Sequence, residues 1–413
     1  MKVLYLVPQP KQPQRIGAYT FLDEEIQALA AAGVEAFVLS TAVSADARTG
    51  AVSLKSVSAR QSLINRIQAA RFLVKRVHGL PVPNPTNPRQ WFRSAWLEHV
   101  AAQLVHEEDI DLIHSHFAWP QGQGGTVVRA VTGRPLVASL RGTDLMTKPA
   151  IGYGRRLKPS FDQAVRRLLK NADRTVYFSR HMRNLAISLG ARPDTATVVR
   201  KGVDLGRFTV AANRIELREQ LGLGSRPMIL TVAGLIPLKG IHHILEALGR
   251  LRERDFTFVV AGEGPERAHL EQLSAKLGLT RHTVFAGRVD RHTIPKYFAA
   301  CDVFVLASQL EAAGNVIFEA MAAGRPVVCT NSGGPAEYVS DGETGFVVPV
   351  GDTEAIGARI DLLLQNVALR EQLGAEGRRR TVTEFRYDRM IGDIIDVYRD
   401  VLSVRSRQRV AAC

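Results

Sequence analysis

CDVFVLASQLEAAGNVIFEAMAAGRPVVCTNSGGPAEYVSDGETGFVVPVGD, residues 301–352, is the stretch from which the rest of the chain is read. Two short apolar runs within it, 302–308 and 325–330, are rich in valine and have the length of strands. Between them the pattern predicts a helix over 315–323. Asn315 is expected to cap it, and Gly324, ahead of Arg325-Pro326, to stop it. The order strand, loop, helix, strand puts the loop holding Glu311 and Gly314 at the carboxyl end of a strand. Ligands of open α/β sheets bind there. The N–H groups of Val316 and Ile317 are expected to stay free at the helix start and to face an anion such as a diphosphate. Glu311 in the loop and Glu319 in the helix flank that spot. Gly333-Gly334, after the next strand, lets backbone approach closely again.

A chain of 413 residues exceeds what one core usually supports, so two domains are expected. Hydrophobic content of 46% and charged content of 23% are those of a globular protein. Cys301, Cys329 and Cys413 form no CxxC pair, and the first two read as core thiols, so neither a zinc site nor a disulfide framework is expected. The opening MKVLYLVPQP is too short for a signal sequence and reads as a first strand. No apolar run reaches the ~18 residues of a spanning helix, and a cytoplasmic protein is expected. The net charge of +14 fits nucleic acid, anionic lipid or phosphorylated substrates and does not choose among them.

Along the chain, strands are predicted at 2–7, 35–40, 111–117, 136–140 and 173–179. Helices are predicted at 22–30, ended by Gly33, and at 181–190. The opening lacks GxGxxG, so a dinucleotide site is not indicated. Between Asp46 and Glu98 stand nine cations and no acid. Leu63, Ile67, Ala70, Val74 and Val77 form a helical stripe beside Arg60, Arg71 and Lys75, with Phe72, Trp91, Phe92 and Trp96 as aromatic surface. The region 47–97 either lies on an anionic membrane or packs its stripe on the sheet with solvated cations. Residues 80–88 read as a loop. Asp109-Ile-Asp111 precedes its strand and reads as surface charge. Arg155, Arg156, Lys158, Arg166, Arg167 and Lys170 enlarge the basic face. Farther on, strands are predicted at 228–232, 256–262 and 283–287, and helices from 241, at 294–300, 353–365 and 367–380. A last helix is predicted over 388–402, with a loose basic tail.

The spacing Glu311-x7-Glu319, joined to EAMAAGRPVV, GGPAEYV and DGETGFVVPVGD, resembles the retaining glycosyltransferases of the group-1, or family-4, type. The resemblance covers nearly the whole chain. It implies the GT-B architecture: α/β, with two Rossmann-like β/α/β domains facing an interdomain cleft. It places an acceptor-side domain at 1–208, a nucleotide-sugar domain at 209–385, and a helix crossing back to the first domain, plus the tail, at 386–413. It also implies that a hexose moves from a nucleoside-diphosphate sugar to a glycan or polyprenyl-linked acceptor, in bacterial surface or exopolysaccharide assembly. No metal or cofactor is expected, and the setting is the cytoplasm or the inner face of the membrane.

The same resemblance assigns residues. Lys239 would clamp the donor diphosphate, with Gly234 standing where the family has an arginine. As a mobile point charge Lys239 suits phosphate, though it could be an ordinary loop lysine. Glu319 would accept hydrogen bonds from the ribose diol, and Glu311 would lie nearer the transferred sugar. Gly314, Asn315 and Val316 would meet the donor, and Arg288 would frame the base. His116, second in the H-x-H of DLIHSHF, would lie near the donor sugar. Gly17, Arg141 and Asp144 would stand on the acceptor side. TVVRKGVDLGRF, residues 197–208, resembles the segment that ends the first domain, with Lys201 where asparagine is usual. Two other readings are a different GT-B enzyme, such as a sugar-nucleotide epimerase, and a non-enzymatic binder of anionic lipid or nucleic acid. No nucleic-acid fold motif is present, and no nucleic-acid partner is expected.

Overall fold

The computed structural model describes residues 1–8, 20–40, 46–56, 88–209 and 213–411. Gly17, the stripe 63–77 with its cations, and Cys413 lie outside the described residues. The chain divides into two compact units. The first comprises Met1–Tyr177, Met182–Val199 and Ile391–Cys413; the second comprises Phe178–His181 and Arg200–Met390.

The first unit holds β1 (Lys2–Leu6), β2 (Glu35–Ser40), β3 (Ala47–Thr49), β4 (Val52–Ser56), β5 (Leu112–His116), β6 (Leu136–Ser139), β7 (Arg174–Tyr177) and β8 (Ala196–Val198). Their order in the sheet is β3-β4-β2-β1-β5-β6-β7-β8, parallel except for the β3–β4 pair. All five residues of β5 (LIHSH) are buried, its polar side chains included. Leu22, Ile26 and Leu29 turn one face of the Thr20–Ala31 helix into the core, and Gly33, at φ 94°, lets the chain reverse into β2.

The region 47–97 differs from its sequence reading. Its first part is the β3–β4 hairpin, where Lys55 is not solvated but donates to Glu108 at 2.6 Å. Its last part enters the Pro88–Glu107 helix, and Trp96 there is only 7% exposed. Trp96 is therefore a core group and not part of an aromatic surface. Asp109 and Asp111 are tied down, the first by Arg134 at 2.7 Å and the second by the Lys2 backbone N–H at 2.8 Å.

The second unit holds β9 (Met228–Val232), β10 (Thr257–Ala261), β11 (Thr283–Gly287), β12 (Val303–Leu306), β13 (Val327–Thr330) and β14 (Gly345–Val348). They form an all-parallel sheet in the order β11-β10-β9-β12-β13-β14. Its core joins Ile229, Phe258, Val260, Val303 and Val328 to Ile244, Leu248, Ile356 and Ile360 of the covering helices. Cys301 and Cys329 are buried free thiols.

Both sheets reverse their strand order once. In the second unit the chain runs outward from β9 to β11, then returns to lay β12 on the other side of β9. In the first it runs outward from β1, then returns to lay β5 on β1's other side. Loops leaving the carboxyl ends of two such strands diverge and leave a crevice, the place where open α/β sheets hold ligands.

The last helix runs Tyr387–Ala411, beyond the stop near 402 read from the sequence. Nothing in VRSRQRVAA breaks a helix, since it contains neither glycine nor proline. Tyr398 ties this helix into the first unit: its hydroxyl lies 2.6 Å from His114 Nδ1 and 3.3 Å from the Tyr5 hydroxyl.

One buried charge sets the footing of the second sheet. Asp302, just before β12, is 5% exposed. Its Oδ2 accepts from the Met228 N–H at 2.7 Å and from Arg218 at 2.5 Å, and its Oδ1 accepts from Arg214 at 3.3 Å. Removing one partner of a buried pair leaves an uncompensated charge. Asp302→Ala is expected to lower the unfolding free energy of the full chain by about 3–5 kcal/mol, read from urea melts. A loss below about 1 kcal/mol would show that the pair does not hold β9 to β12.

Candidate functional site

At the reversal between β9 and β12, two loops meet at backbone distance. The loop after β9 turns through Pro237–Lys239 into Gly240, whose φ is 62°. A Cβ on Gly240 would lie 2.0 Å from the Ala307 carbonyl oxygen, so only glycine fits. The Gln309 N–H donates to the Leu238 carbonyl at 2.7 Å, and the Gln309 side chain donates to the Pro237 carbonyl at 3.0 Å. These bonds fix Lys239 against the loop after β12. Its ammonium lies 2.5 Å from Glu311 Oε2, and both side chains are mostly buried.

Glu311 is held on three sides. Its Oε1 accepts from the Ala312 N–H at 3.1 Å, and Ser308 donates to Oε2 at 3.4 Å. Its backbone pairs with the segment after β13: the Glu311 N–H donates to Ser332 at 2.8 Å, and the Gly334 N–H donates back at 3.0 Å. The glycine pair 333–334 is needed there, because a Cβ on Gly334 would lie 1.9 Å from the Ala312 carbonyl oxygen.

The Asn315–Ala322 helix starts beside Glu311. Two details of its sequence reading are corrected. Gly314, in the left-handed region at φ 78°, occupies the cap position, so Asn315 is the first helical residue and its side chain caps nothing. The Ile317 N–H is not free, because the tight first turn directs it to the Gly314 carbonyl at 2.9 Å. Asn315 is exposed and Val316 half-buried.

Glu319 lies one turn further on. It is half-buried, and burial of its carboxyl outweighs the nearby positive charges of Arg207 and Lys201, pushing its pKa up to about 7. Sequence reasoning did not assign either cation to the site. The signal for Lys201 was its place in VVRKGVD, where it is a lysine in an apolar setting, 7% exposed and lying 5.0 Å over the Phe178 ring.

Gly234 and Arg288 follow β9 and β11, the strands on either side of β10. The Gly234 loop is docked on the loop after β10: the Leu235 N–H donates to the Glu263 carbonyl at 2.9 Å, and the Glu266 N–H donates to the Leu235 carbonyl at 3.0 Å. Arg288, after β11, is exposed.

The remaining candidates belong to the first unit. His116 ends β5 and is fully buried. Its Nδ1 lies 2.7 Å from Arg141, which also donates to Glu25 at 2.7 Å. Burial, then the Arg141 charge, hold the His116 pKa well below its usual value. Asp144 is turned inward, 3% exposed, and accepts from the Ala118 N–H at 3.0 Å and the Arg141 N–H at 3.3 Å. Burial pushes its pKa up to about 6 against those bonds and the charges of Arg155 and Arg141. The structure thus brings Arg141, Asp144 and His116 together. Glu25, which sequence reasoning missed, anchors them from the Thr20–Ala31 helix.

Comparison with known proteins adds to this geometry. A model described as glycosyl transferases group 1 matches residues 213–380, and one described as glycosyltransferase family 4 matches residues 17–207. A GDP-mannose-dependent alpha-(1-6)-phosphatidylinositol monomannoside mannosyltransferase of Mycolicibacterium smegmatis is 32% identical, over 67% of this chain and 73% of its own. A D-inositol 3-phosphate glycosyltransferase of Salinispora arenicola is 31% identical, over 73% of this chain and 72% of its own. Anabaena HepE in complex with UDP shares the fold, with a TM-score of 0.73 and 22% identity, covering 97% of this chain and 100% of that one.

The raised pKa of Glu319 has a consequence for stability. Its folded value, about 7, lies above its ordinary value of 4.5. The stability it contributes is therefore fully present below pH 4.5 and is lost as pH rises through about 7. Asp144, also raised, acts in the same direction. Urea melts from pH 5 to 8 are expected to show a steeper loss in the wild-type chain than in Glu319→Gln. Parallel curves would mean that Glu319 is not buried as a carboxyl.

Proposed function

The chain belongs to the group 1 glycosyltransferases, with a family 4 first half and the GT-B fold, and from that premise we propose that it moves a hexose from a nucleoside-diphosphate sugar to a glycan or lipid-linked glycan with retention of anomeric configuration. The observation that carries the donor assignment is the Lys239–Glu311 pair at the β9/β12 reversal, followed directly by the helix bearing Glu319. Departure of the diphosphate from the anomeric carbon builds negative charge on its β-phosphate. An ammonium and helix-start N–H groups already aimed at that charge stabilise it without reorganising. Lys239 carries three N–H donors, so it can keep its bond to Glu311 while donating to phosphate.

The other assignments follow the family pattern. Asn315 and Val316 supply backbone N–H groups beside Gly314, and Glu319, when ionised, accepts from the ribose diol. Glu311 meets the transferred sugar, as does His116. Arg288 frames the base, and Gly234 leaves room for the donor. No metal ion is given a role. The name of the M. smegmatis relative, which acts on a phosphatidylinositol monomannoside, supports a hydroxyl of a lipid-linked glycan as acceptor. Assembly of a bacterial surface polysaccharide is the setting we assign, in the cytoplasm or at the inner face of the membrane. Among the described residues no helix is long and apolar enough to cross a membrane.

Calorimetry with UDP, GDP and ADP tests the reading. The preferred diphosphate is expected to bind at least about tenfold more weakly to Lys239→Ala and to Glu319→Gln. Affinity unchanged in both variants would remove the donor site from this place. Conversion of a sugar nucleotide without any acceptor would favour epimerase chemistry instead.

A further inference from the structure

We propose that Glu25 and Arg141 are positioning residues that hold His116 in its Nε2–H tautomer, so that the ring serves as a hydrogen-bond donor and not as a proton acceptor. The part played by His116 in transfer rests on the reading above; the wiring of its ring does not.

The argument starts from what each group can do. A guanidinium has five N–H donors and no acceptor. Arg141 Nη2 lies 2.7 Å from His116 Nδ1, so Nδ1 must offer its lone pair. The single proton of a neutral imidazole then sits on Nε2. Protonating Nδ1 would set N–H against N–H at that distance and place a second cation beside the first.

The surroundings make the arrangement hard to undo. The Arg141 side chain is 6% exposed and the Glu25 side chain 1%, and they pair at 2.7 Å. Phe21, one turn before Glu25 on the same helix face, lies 5.4 Å from the guanidinium. An unpaired arginine would be costly at such depth, so the Glu25 carboxylate keeps the cation in place. The other groups around the ring leave Nδ1 to Arg141. The His114 ring is 4.2 Å away and has its own partners in Tyr398 and Ser139; Tyr5 stacks at 6.2 Å. His116 Nε2 is buried and has no acceptor among the described residues. A hydroxyl or ring oxygen of a sugar is an acceptor of the right chemistry. A ring with its proton already on Nε2 cannot take another there, which excludes His116 as the base that deprotonates an acceptor.

Imidazole nitrogen NMR on the full-length chain labelled at histidine, with His116 assigned by comparison with His116→Gln, tests the wiring without any ligand. The expected wild-type spectrum shows a protonated Nε2 and a bare Nδ1 from about pH 5 to 8, the window in which an ordinary histidine titrates. A proton on Nδ1, or an imidazolium within that window, would overturn the proposal. Arg141→Met is expected to release the ring to both tautomers or to titration, and Arg141→Lys, which restores a donor, to recover the wild-type pattern. A ring unchanged in Arg141→Met would also overturn it. Turnover then separates the two layers. Arg141→Met is expected to lower kcat by about tenfold or more while KM for the donor moves little. Wild-type kcat in that variant, with its tautomer altered, would leave the wiring intact and remove His116 from the transfer step. Loss of the donor assignment itself would show instead in the calorimetry of Lys239→Ala.

Discussion

The site in the second unit depends on how closely two loops can approach. Lys239 and Glu311 are 72 residues apart, yet their charged atoms are held 2.5 Å from one another. Parallel pairing of β9 with β12 brings the loops to the same edge, but it does not bring them into contact. Contact requires Gly240 against the Ala307 carbonyl, Gly262 against the Ala233 carbonyl, and Gly334 against the Ala312 carbonyl, each where a Cβ would lie within about 2 Å of oxygen. Missing side chains let one loop's backbone rest on another's, and the charged groups inherit that precision. The ion pair is therefore a result of backbone packing before it is an electrostatic feature.

The first unit reaches the same end by other means. Its reversal point, between β1 and β5, is filled with polar side chains in place of close backbone. Tyr5, His114, His116 and Ser139 come from three adjacent strands, and Tyr398 comes from the last helix. Buried polar groups are tolerated when their hydrogen bonds are met, and the Tyr398 hydroxyl meets both the Tyr5 hydroxyl and the His114 ring. This explains why a helix at the end of the chain belongs to the unit that begins it. Tyr398 supplies the hydroxyl that His114 would otherwise lack.

Much of the scaffold was legible in the sequence where local signals agree. The strands Met228–Val232 and Thr283–Gly287 and the helices Ile294–Ala300 and Thr353–Gln365 have the bounds their periodicity and punctuation predict. The clustering of Glu311, Gly314 and Glu319 was readable because spacing alone places them on one loop and its helix. What was not legible was long-range. Sequence shows glycine at 314 but not its φ, so the cap fell one residue late. Trp96 looks like any amphipathic-surface aromatic until its burial in the fold is known. Glu25 sits in a run of acids, LDEEI, and only the fold singles out the one that meets Arg141. Lys201 and Arg207 act on Glu319 through space, and no spacing rule connects them.

Charge in this molecule works at two scales. The net +14 is spread over exposed cations such as Arg155, Lys158, Arg167 and Lys170 along one helix and the turn before it. Fields from such groups draw anions toward the surface and are screened within about 10 Å at ordinary salt. They attract phosphate, nucleic acid and lipid headgroups alike, so they cannot select a donor. The cations near the second unit's crevice are of another kind. Lys239 is matched to Glu311, and Lys201 and Arg207 face Glu319. A site whose cations already have carboxylate partners gives up little to a simple anion, which must compete with those partners. A ligand that supplies phosphate oxygens to Lys239 and hydroxyl donors to Glu319 at once satisfies both members of each set. Selectivity then comes from matching donors and acceptors in one geometry, and the surplus charge elsewhere governs only how often an anion arrives.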